Sequence, residues 1–307
     1  MEFLYFLEGI RNGFLDTLML LVTKLGEETI FIVIGMLFFW CINKYEGYYI
    51  LFTGFIGTVA NQFLKIICRI PRPWVKDPNF TVVEGAKGEA TGYSFPSGHT
   101  QSSVGSFGAI ARWNKQLWVR IATVLVCVLV PFSRMYLGVH TPEDVGVSIA
   151  IALLLIFVLC PIIKKAQQNR VLMWSLIGIM FVIAASFLCF VEFYNFPQNL
   201  DAHNYESALK NAYTLTGCIA GIAAVYYIDE YHIRFETKAV WWAQVLKLLG
   251  GIVIVFAIKE GMRWPLDTLC GGHLIARALR YFLLVVVAGG VWPMTFKFFS
   301  KLGRKQA

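Results

Sequence analysis

Between residues 26 and 299 the chain returns repeatedly to apolar runs long enough to cross a bilayer, and this repetition limits its possible folds more than any other feature. Backbone inside hydrocarbon has to satisfy its own hydrogen bonds, so such runs become helices. Nine are readable, over 26–42, 47–67, 99–112, 117–133, 144–161, 171–191, 211–228, 239–258 and 273–296. The expected fold is therefore all-α: a polytopic transmembrane helical bundle of about nine spans, forming one membrane domain over 1–307. Composition agrees. The chain is 57% hydrophobic and only 15% charged, against about 25% charged in soluble domains, and its mean hydropathy is +0.62. Three spans carry polar residues that a lipid-facing helix would avoid: Gln101, Ser102 and Ser103 in the third, Lys247 in the eighth, and Arg277 with Arg280 in the ninth.

The first sixteen residues lack a basic leader and carry Glu2, Glu8 and Asp16, so they read as a short amphipathic helix at the membrane surface rather than a cleaved signal. The seven cysteines are scattered without a CxxC pair and read as small buried hydrophobes. Counting crossings puts the loops after spans one, three, five and seven on one face. That face crowds Lys44, then Arg112, Lys115 and Arg120, then Lys164, Lys165 and Arg170 into short loops. By the positive-inside rule it is cytoplasmic. The net charge of +8 is then a matter of topology and of anionic lipid head groups, not of nucleic acid.

Three chemically rich segments fall at span ends on the opposite face. Lys65 to Pro73 leaves span two. Pro96-Ser97-Gly98-His99 opens span three. Ser133-Arg134 through His140 to Asp144 links spans four and five. Lys65, Arg72 and Arg134 are three fixed cations suited to phosphate oxygens. Ser97 and Gly98 precede a helix, where backbone N–H groups and the dipole favour an anion. Together these groups bind a phosphate and stabilise its transition state without a metal. His99 and His140 supply an attacker and a proton donor, since imidazole does either job near neutral pH. Asp144, four residues beyond His140, is placed to hold one ring nitrogen protonated and leave the other free to attack.

Each residue alone has a plainer explanation. Thr141-Pro142-Glu143-Asp144 is a good helix start, with Thr as N-cap and Pro at the first position. Arg134 suits an interfacial anchor, and Lys65 and Arg72 suit flanking charges. Chance poorly explains all three segments, in order, on one face.

The segments resemble the signature of the type 2 phosphatidic acid phosphatase superfamily: K-x6-RP, then PSGH, then SR-x5-H-x3-D, with every named residue present between 65 and 144. The resemblance implies a metal-independent membrane phosphatase that hydrolyses a lipid phosphate or pyrophosphate at the extracytoplasmic or lumenal face. His140 would form a phosphohistidine, Asp144 would orient it (in preference to Glu143), and His99 would protonate the leaving oxygen and then activate water. Lys65, Arg72 and Arg134 would hold the phosphate, assisted by Ser97 and Gly98. It also implies a six-helix phosphatase core over 47–190, preceded by an N-terminal helix and first span over 1–46. A three-span extension over 191–307 gives a plan similar to the glucose 6-phosphatase and long-chain-base phosphate phosphatase branches. No metal, cofactor or obligatory protein partner is expected. The partners are the lipid phosphate and the bilayer: a bacterial inner (plasma) membrane with the site facing outward, or the endoplasmic reticulum in a eukaryote. In the extension, Arg263, Arg277 and Arg280 are candidate substrate-rim residues, with pairing to Glu260 or Asp267, or snorkelling to the interface, as the alternative for Arg277 and Arg280. The glycine-bearing loop from Trp74 to Phe95 is a candidate mobile rim. The competing functions are a phospholipid or phosphate transporter without turnover, a phosphatase for a soluble sugar phosphate, and a vanadate-dependent peroxidase. The last is disfavoured because those enzymes are soluble.

Overall fold

The computed structural model describes residues 1–90, 92–197 and 200–302. Helices and connecting turns make up these residues, with no strand among them. In chain order the helices are α1 (Glu2–Gly9), α2 (Gly13–Lys24), α3 (Glu28–Leu37), α4 (Lys44–Cys68), α5 (Pro73–Lys76), α6 (Ala86–Glu89), α7 (Gly98–Trp113), α8 (Leu117–Tyr136), α9 (Pro142–Ala166), α10 (Arg170–Phe193), α11 (Ala202–Ile228), α12 (Trp241–Gly261), α13 (Arg263–Leu269), α14 (Ile275–Val286) and α15 (Phe296–Lys301).

Among the described residues, seven helices are long and apolar enough to cross a membrane alone. An eighth candidate is the pair Gly13–Lys24 and Glu28–Ile42, bent by 48° at its break. Their outward faces suit lipid. On α8 the exposed large apolar side chains are Leu117, Trp118, Ile121, Val124, Leu125 and Val128, a stripe at helical spacing. The expectation of about nine spans changes in two places. The first span is the second half of a bent helix pair beginning at Gly13, not a straight run from residue 26. The third is α7, with 16 residues. At 1.5 Å per residue it rises about 24 Å, short of the roughly 30 Å hydrocarbon thickness. Gln101, Ser103 and Ser106 are buried in protein rather than turned to lipid, so packing against α8 tolerates what lipid would not.

The chain divides into two compact units. The first comprises 1–34, 49–162 and 196–208. Here the N-terminus departs from a single surface helix. The chain breaks at Ile10 to Asn12, and Asn12 caps α2 by accepting from the Leu15 N–H at 3.0 Å. α1 and α2 then tie down the loop after α5. Tyr5 donates to Asp77 at 2.7 Å, Arg11 donates to the Thr81 carbonyl at 2.9 Å and to the Tyr136 carbonyl at 3.0 Å, and Tyr136 donates to Asp16 at 2.8 Å. A small core of Met19, Val83, Ala86, Tyr136, Leu137 and Val139 seals the arrangement. The loop read as a mobile rim is thus a packed segment with Phe80, Val83 and Ala86 buried.

The second unit comprises 35–48, 163–195 and 209–307. Its helices pack closely through small residues. A Cβ on Gly217 would lie 2.1 Å from the Ala278 carbonyl oxygen, and one on Gly221 would lie 2.8 Å from Val285. This Gly-x-x-x-Gly stripe lets α11 and α14 touch at the backbone. Replacing Gly217 by alanine is expected to push the two helices apart and to cost about 1–3 kcal/mol, read as a lower thermal unfolding midpoint in detergent. An unchanged midpoint would show that the stripe carries no packing energy. Lys44 and Asp229 form a 2.6 Å ion pair within the same unit, and Lys247, buried in α12, donates to the Thr237 carbonyl and to Gln244 while lying over the Phe296 ring. An intramembrane lysine is tolerable when paired in this way. All seven cysteines are free, as expected, but only Cys160 is buried, and Cys68 and Cys189 are exposed. The expectation of burial fails because the outward face of a span meets hydrocarbon, where a thiol needs no protein cover.

Candidate active site

Each cation is set by a helix end in the first unit. α4 finishes with Arg69 in the left-handed region at φ 50°, and Pro71 and Pro73 prevent the helix from continuing. The chain therefore turns sharply and delivers Arg72. Lys65 lies in the last turn of α4 and Arg134 in the last turn of α8. Beyond α8 the chain reverses at Gly138, with φ 83°. A Cβ there would meet Arg11, Phe80 and the Thr81 carbonyl at about 3 Å, so both the backbone sign and the space require glycine. Two residues later comes His140.

Lys65, Arg72, Gly98, His99, Arg134 and His140 line one cavity of about 180 Å³, together with Gly26, Glu28, Thr58, Asn61, Gln62, Gln101 and Ser102. The two imidazoles, from segments far apart in the chain, therefore face a common space. Ser97 stands just outside it as the N-cap of α7, accepting from the Thr100 N–H at 3.4 Å and donating its own N–H to the Asp144 carbonyl at 3.2 Å.

Arg72 spreads its donors over the Gly92 carbonyl at 3.1 Å, the Val139 carbonyl at 3.0 Å and His140 Nε2 at 2.9 Å. A guanidinium cannot accept, so Nε2 carries the lone pair and Nδ1 the proton of the neutral ring. Nδ1 lies 3.4 Å from Asp144 Oδ2, at ion-pair distance though without hydrogen-bond alignment. Both side chains are 2% exposed. The same Oδ2 accepts from Ser94 Oγ at 2.5 Å and from the Thr141 N–H at 2.8 Å, while Thr141 Oγ1 accepts from the Asp144 N–H at 3.4 Å. One carboxylate thus makes the helix-cap contacts and lies beside the His140 ring. Glu143 is exposed. Lys65 donates to the Tyr93 carbonyl at 2.5 Å and Arg134 to Thr23 Oγ1 at 2.7 Å.

Burial, then the positive charges of Arg72, Arg134 and Lys65, push the His140 pKa well below the ordinary imidazole value of 6.5. A lowered pKa means that falling pH protonates the ring later than in a free histidine. The acid limb of kcat/KM, which reports the free enzyme, is thus expected to have its midpoint below pH 6.5 after correction for the substrate's own ionisation near pH 6. A midpoint above 6.5 would contradict the neutral ring.

Arg263, Arg277 and Arg280 belong to the second unit and are not among the residues lining this cavity. Arg263 is exposed. Arg277 donates to Thr214 Oγ1 at 2.6 Å, and both Arg277 and Arg280 lie over the Tyr281 ring. Neither pairs with Glu260 or Asp267 among the described residues; hydroxyl and aromatic partners within the bundle replace the acids. Sequence reasoning did not single out Asn61, Gln62, Thr23 or Ser94. Asn61 and Gln62 carried a signal, being amides inside an apolar run within one turn of Lys65. Thr23 and Ser94 carried none.

A constellation of three cations, a backed imidazole and a second histidine at the ends of membrane helices defines a phosphoryl-handling membrane protein. The PAP2 superfamily profile matches residues 45–168, and that of the PAP2 superfamily phosphatase transmembrane extension matches 213–305. The chain belongs to the PAP2 superfamily and is an integral-membrane phosphatase. It is similar to undecaprenyl-diphosphatase BcrC of Bacillus subtilis, 28% identical over 48% of this chain and 74% of that protein. It is also similar to an undecaprenyl-diphosphatase of Sulfolobus acidocaldarius, 30% identical over 43% of this chain and 62% of that protein. Phosphatidylglycerophosphatase B of Bacillus subtilis is 26% identical over 52% of this chain and 81% of its own length. No solved structure matches the chain significantly.

Proposed function

We propose that the chain hydrolyses a lipid phosphate or pyrophosphate through a phosphohistidine on His140, at the extracytoplasmic or lumenal boundary of the bilayer. The observation that carries this is the polarised His140 ring: Nε2 with its lone pair toward the cavity and the Arg72 guanidinium, Nδ1 toward a buried carboxylate. Relatives named for undecaprenyl diphosphate and phosphatidylglycerophosphate support a lipid-linked substrate.

In the first step the Arg72 guanidinium swings from Nε2 onto the phosphate oxygens, shared with Lys65 and Arg134. Nε2 attacks phosphorus, the P–O bond to the leaving group breaks, and that oxygen takes a proton from His99. The negative charge of the bound phosphate offsets the cations around His99 and keeps its proton available. In the second step His99 removes a proton from water, whose oxygen attacks phosphorus and breaks the P–N bond. Inorganic phosphate leaves and both imidazoles return to their starting states. The cations meet the charge of the five-coordinate transition state, the main requirement of phosphoryl transfer. The basic short loops of the opposite face favour a site facing away from the cytoplasm, in a bacterial plasma membrane or, in a eukaryote, the endoplasmic reticulum.

Purified protein in detergent, given a panel of lipid phosphates, is expected to release phosphate in a reaction blocked by vanadate and insensitive to EDTA. Loss of activity on chelation, or indifference to vanadate, would sink the mechanism. Movement of labelled lipid across proteoliposomes without phosphate release would instead identify a transporter.

A further inference from the structure

The PAP2 profile begins at residue 45, yet residues before it reach the cavity. Gly26, in the break of the bent pair, and Glu28, at the start of α3, both stand on its lining. A Cβ on Gly26 would come 2.9 Å from the His99 carbonyl oxygen of α7 and 2.8 Å from a Val130 methyl of α8. Bare backbone there lets the break close on the helix that carries His99 and on the one that carries Arg134. Three hydrogen bonds then fasten the N-terminal segment to the last turn of α8. Arg11 donates to the Tyr136 carbonyl at 3.0 Å, the Tyr136 hydroxyl donates to Asp16 at 2.8 Å, and Arg134 Nη1 donates to Thr23 Oγ1 at 2.7 Å. Thr23 and Arg134 are each 1% exposed.

The Thr23 contact differs from the other two because it ends on a cation of the cavity lining. A guanidinium is a planar fork, so anchoring one N–H restricts the plane in which the others point. The branched Cβ of threonine stiffens its χ1, which fixes the acceptor in turn. The hydroxyl is also neutral. It orients Arg134 without cancelling the positive charge that an anion needs, whereas a carboxylate in its place would form an ion pair and compete with phosphate. Donors held in advance need no reorganisation as charge develops on the reacting group, and in a buried site that is where electrostatic stabilisation is largest.

Resting on the phosphatase reading and deepening it, we propose that Thr23 is a positioning residue: through its hydroxyl the N-terminal helix pair sets the Arg134 guanidinium against the transferred phosphate. The test uses the full-length protein in detergent, with phosphatidic acid, phosphatidylglycerophosphate and farnesyl diphosphate as substrates and vanadate as inhibitor. Thr23→Val keeps the shape and removes the acceptor; Thr23→Ser keeps the acceptor and removes a methyl. The valine variant is expected to weaken vanadate inhibition about tenfold and to lower kcat/KM about tenfold on each substrate hydrolysed, the size of one lost hydrogen bond to a charged group. The serine variant stays within about threefold of the native protein. A packing role predicts the reverse order, since valine fills the space and serine leaves a hole. That reverse order, or equal values for the two variants, overturns the positioning role. So does a loss confined to one of several hydrolysed substrates, because Arg134 faces the phosphate they share. Should Thr23→Val fail to fold, Thr23→Ala takes its place: Ser and Ala both lack the methyl and only Ser has the hydroxyl. A gap of about tenfold between them is then expected, and no gap overturns the role. Native protein that releases phosphate from none of the three substrates overturns the phosphatase reading itself, which separates the two failures.

Discussion

His140→Asn removes at least about a thousandfold of kcat, or about 4 kcal/mol of transition-state stabilisation. The asparagine side chain is small enough for the same pocket, and its amide stops short of the Nε2 position that lies 2.9 Å from Arg72 in the native ring. What it lacks is a nitrogen lone pair able to bond phosphorus. Vanadate or phosphate binding, which the proposed mechanism assigns to Lys65, Arg72 and Arg134, is therefore expected to survive while turnover is lost. Rapid quench into alkaline denaturant with substrate labelled in the transferred phosphate checks the chemistry directly: the native protein holds a base-stable, acid-labile phosphoryl label and the variant does not. Retention of wild-type turnover by the variant would remove His140 from the attacking role, whatever the label shows.

The second large effect belongs to the residue behind that ring. Asp144→Asn is expected to lower kcat by about 10²–10⁴-fold with little change in KM, because the wrong tautomer costs a triad about that much. Asp144 Oδ2 accepts from both Ser94 and the Thr141 N–H while facing His140 Nδ1. An amide has a single carbonyl oxygen, and turning it toward Thr141 and Ser94 leaves only one edge for the imidazole. Ser94→Ala removes one support from the same carboxylate and is expected to cost far less, about tenfold. Should Asp144→Asn keep activity within threefold of the native protein, the carboxylate is only a helix cap and His140 is oriented by Arg72 and Val139 instead.

Much of this molecule was legible before any coordinates. Apolar runs announce membrane helices because hydrocarbon leaves backbone no other solution. Lys65, Arg72, His99, Arg134 and His140 drew attention because three segments rich in cations and imidazoles fall in order at span ends on one face, and the structure gathers them on one cavity. Other features lay beyond periodicity. The 48° break after α2 and the shortness of α7 depend on what each helix packs against, and a window of hydropathy cannot distinguish burial in protein from burial in lipid. The loop from Trp74 to Phe95 read as mobile because of its glycines. It is held by Tyr5 and Arg11, partners 70 or more positions away in the chain. Arg277 and Arg280 read as rim residues because arginine in a span demands a reason, and Thr214 and Tyr281 supply it locally.

The order of residues along the chain determined the class of fold, the membrane setting and the set of groups able to handle a phosphate, since hydropathy and functional-group type belong to side chains wherever they sit. Tertiary structure alone decided which nitrogen of His140 carries the lone pair, and that two buried amides without a hydrogen-bond partner among the described residues share its cavity. Direction, distance and burial arise only when helices distant in the chain are packed side by side, and catalysis depends on those three quantities.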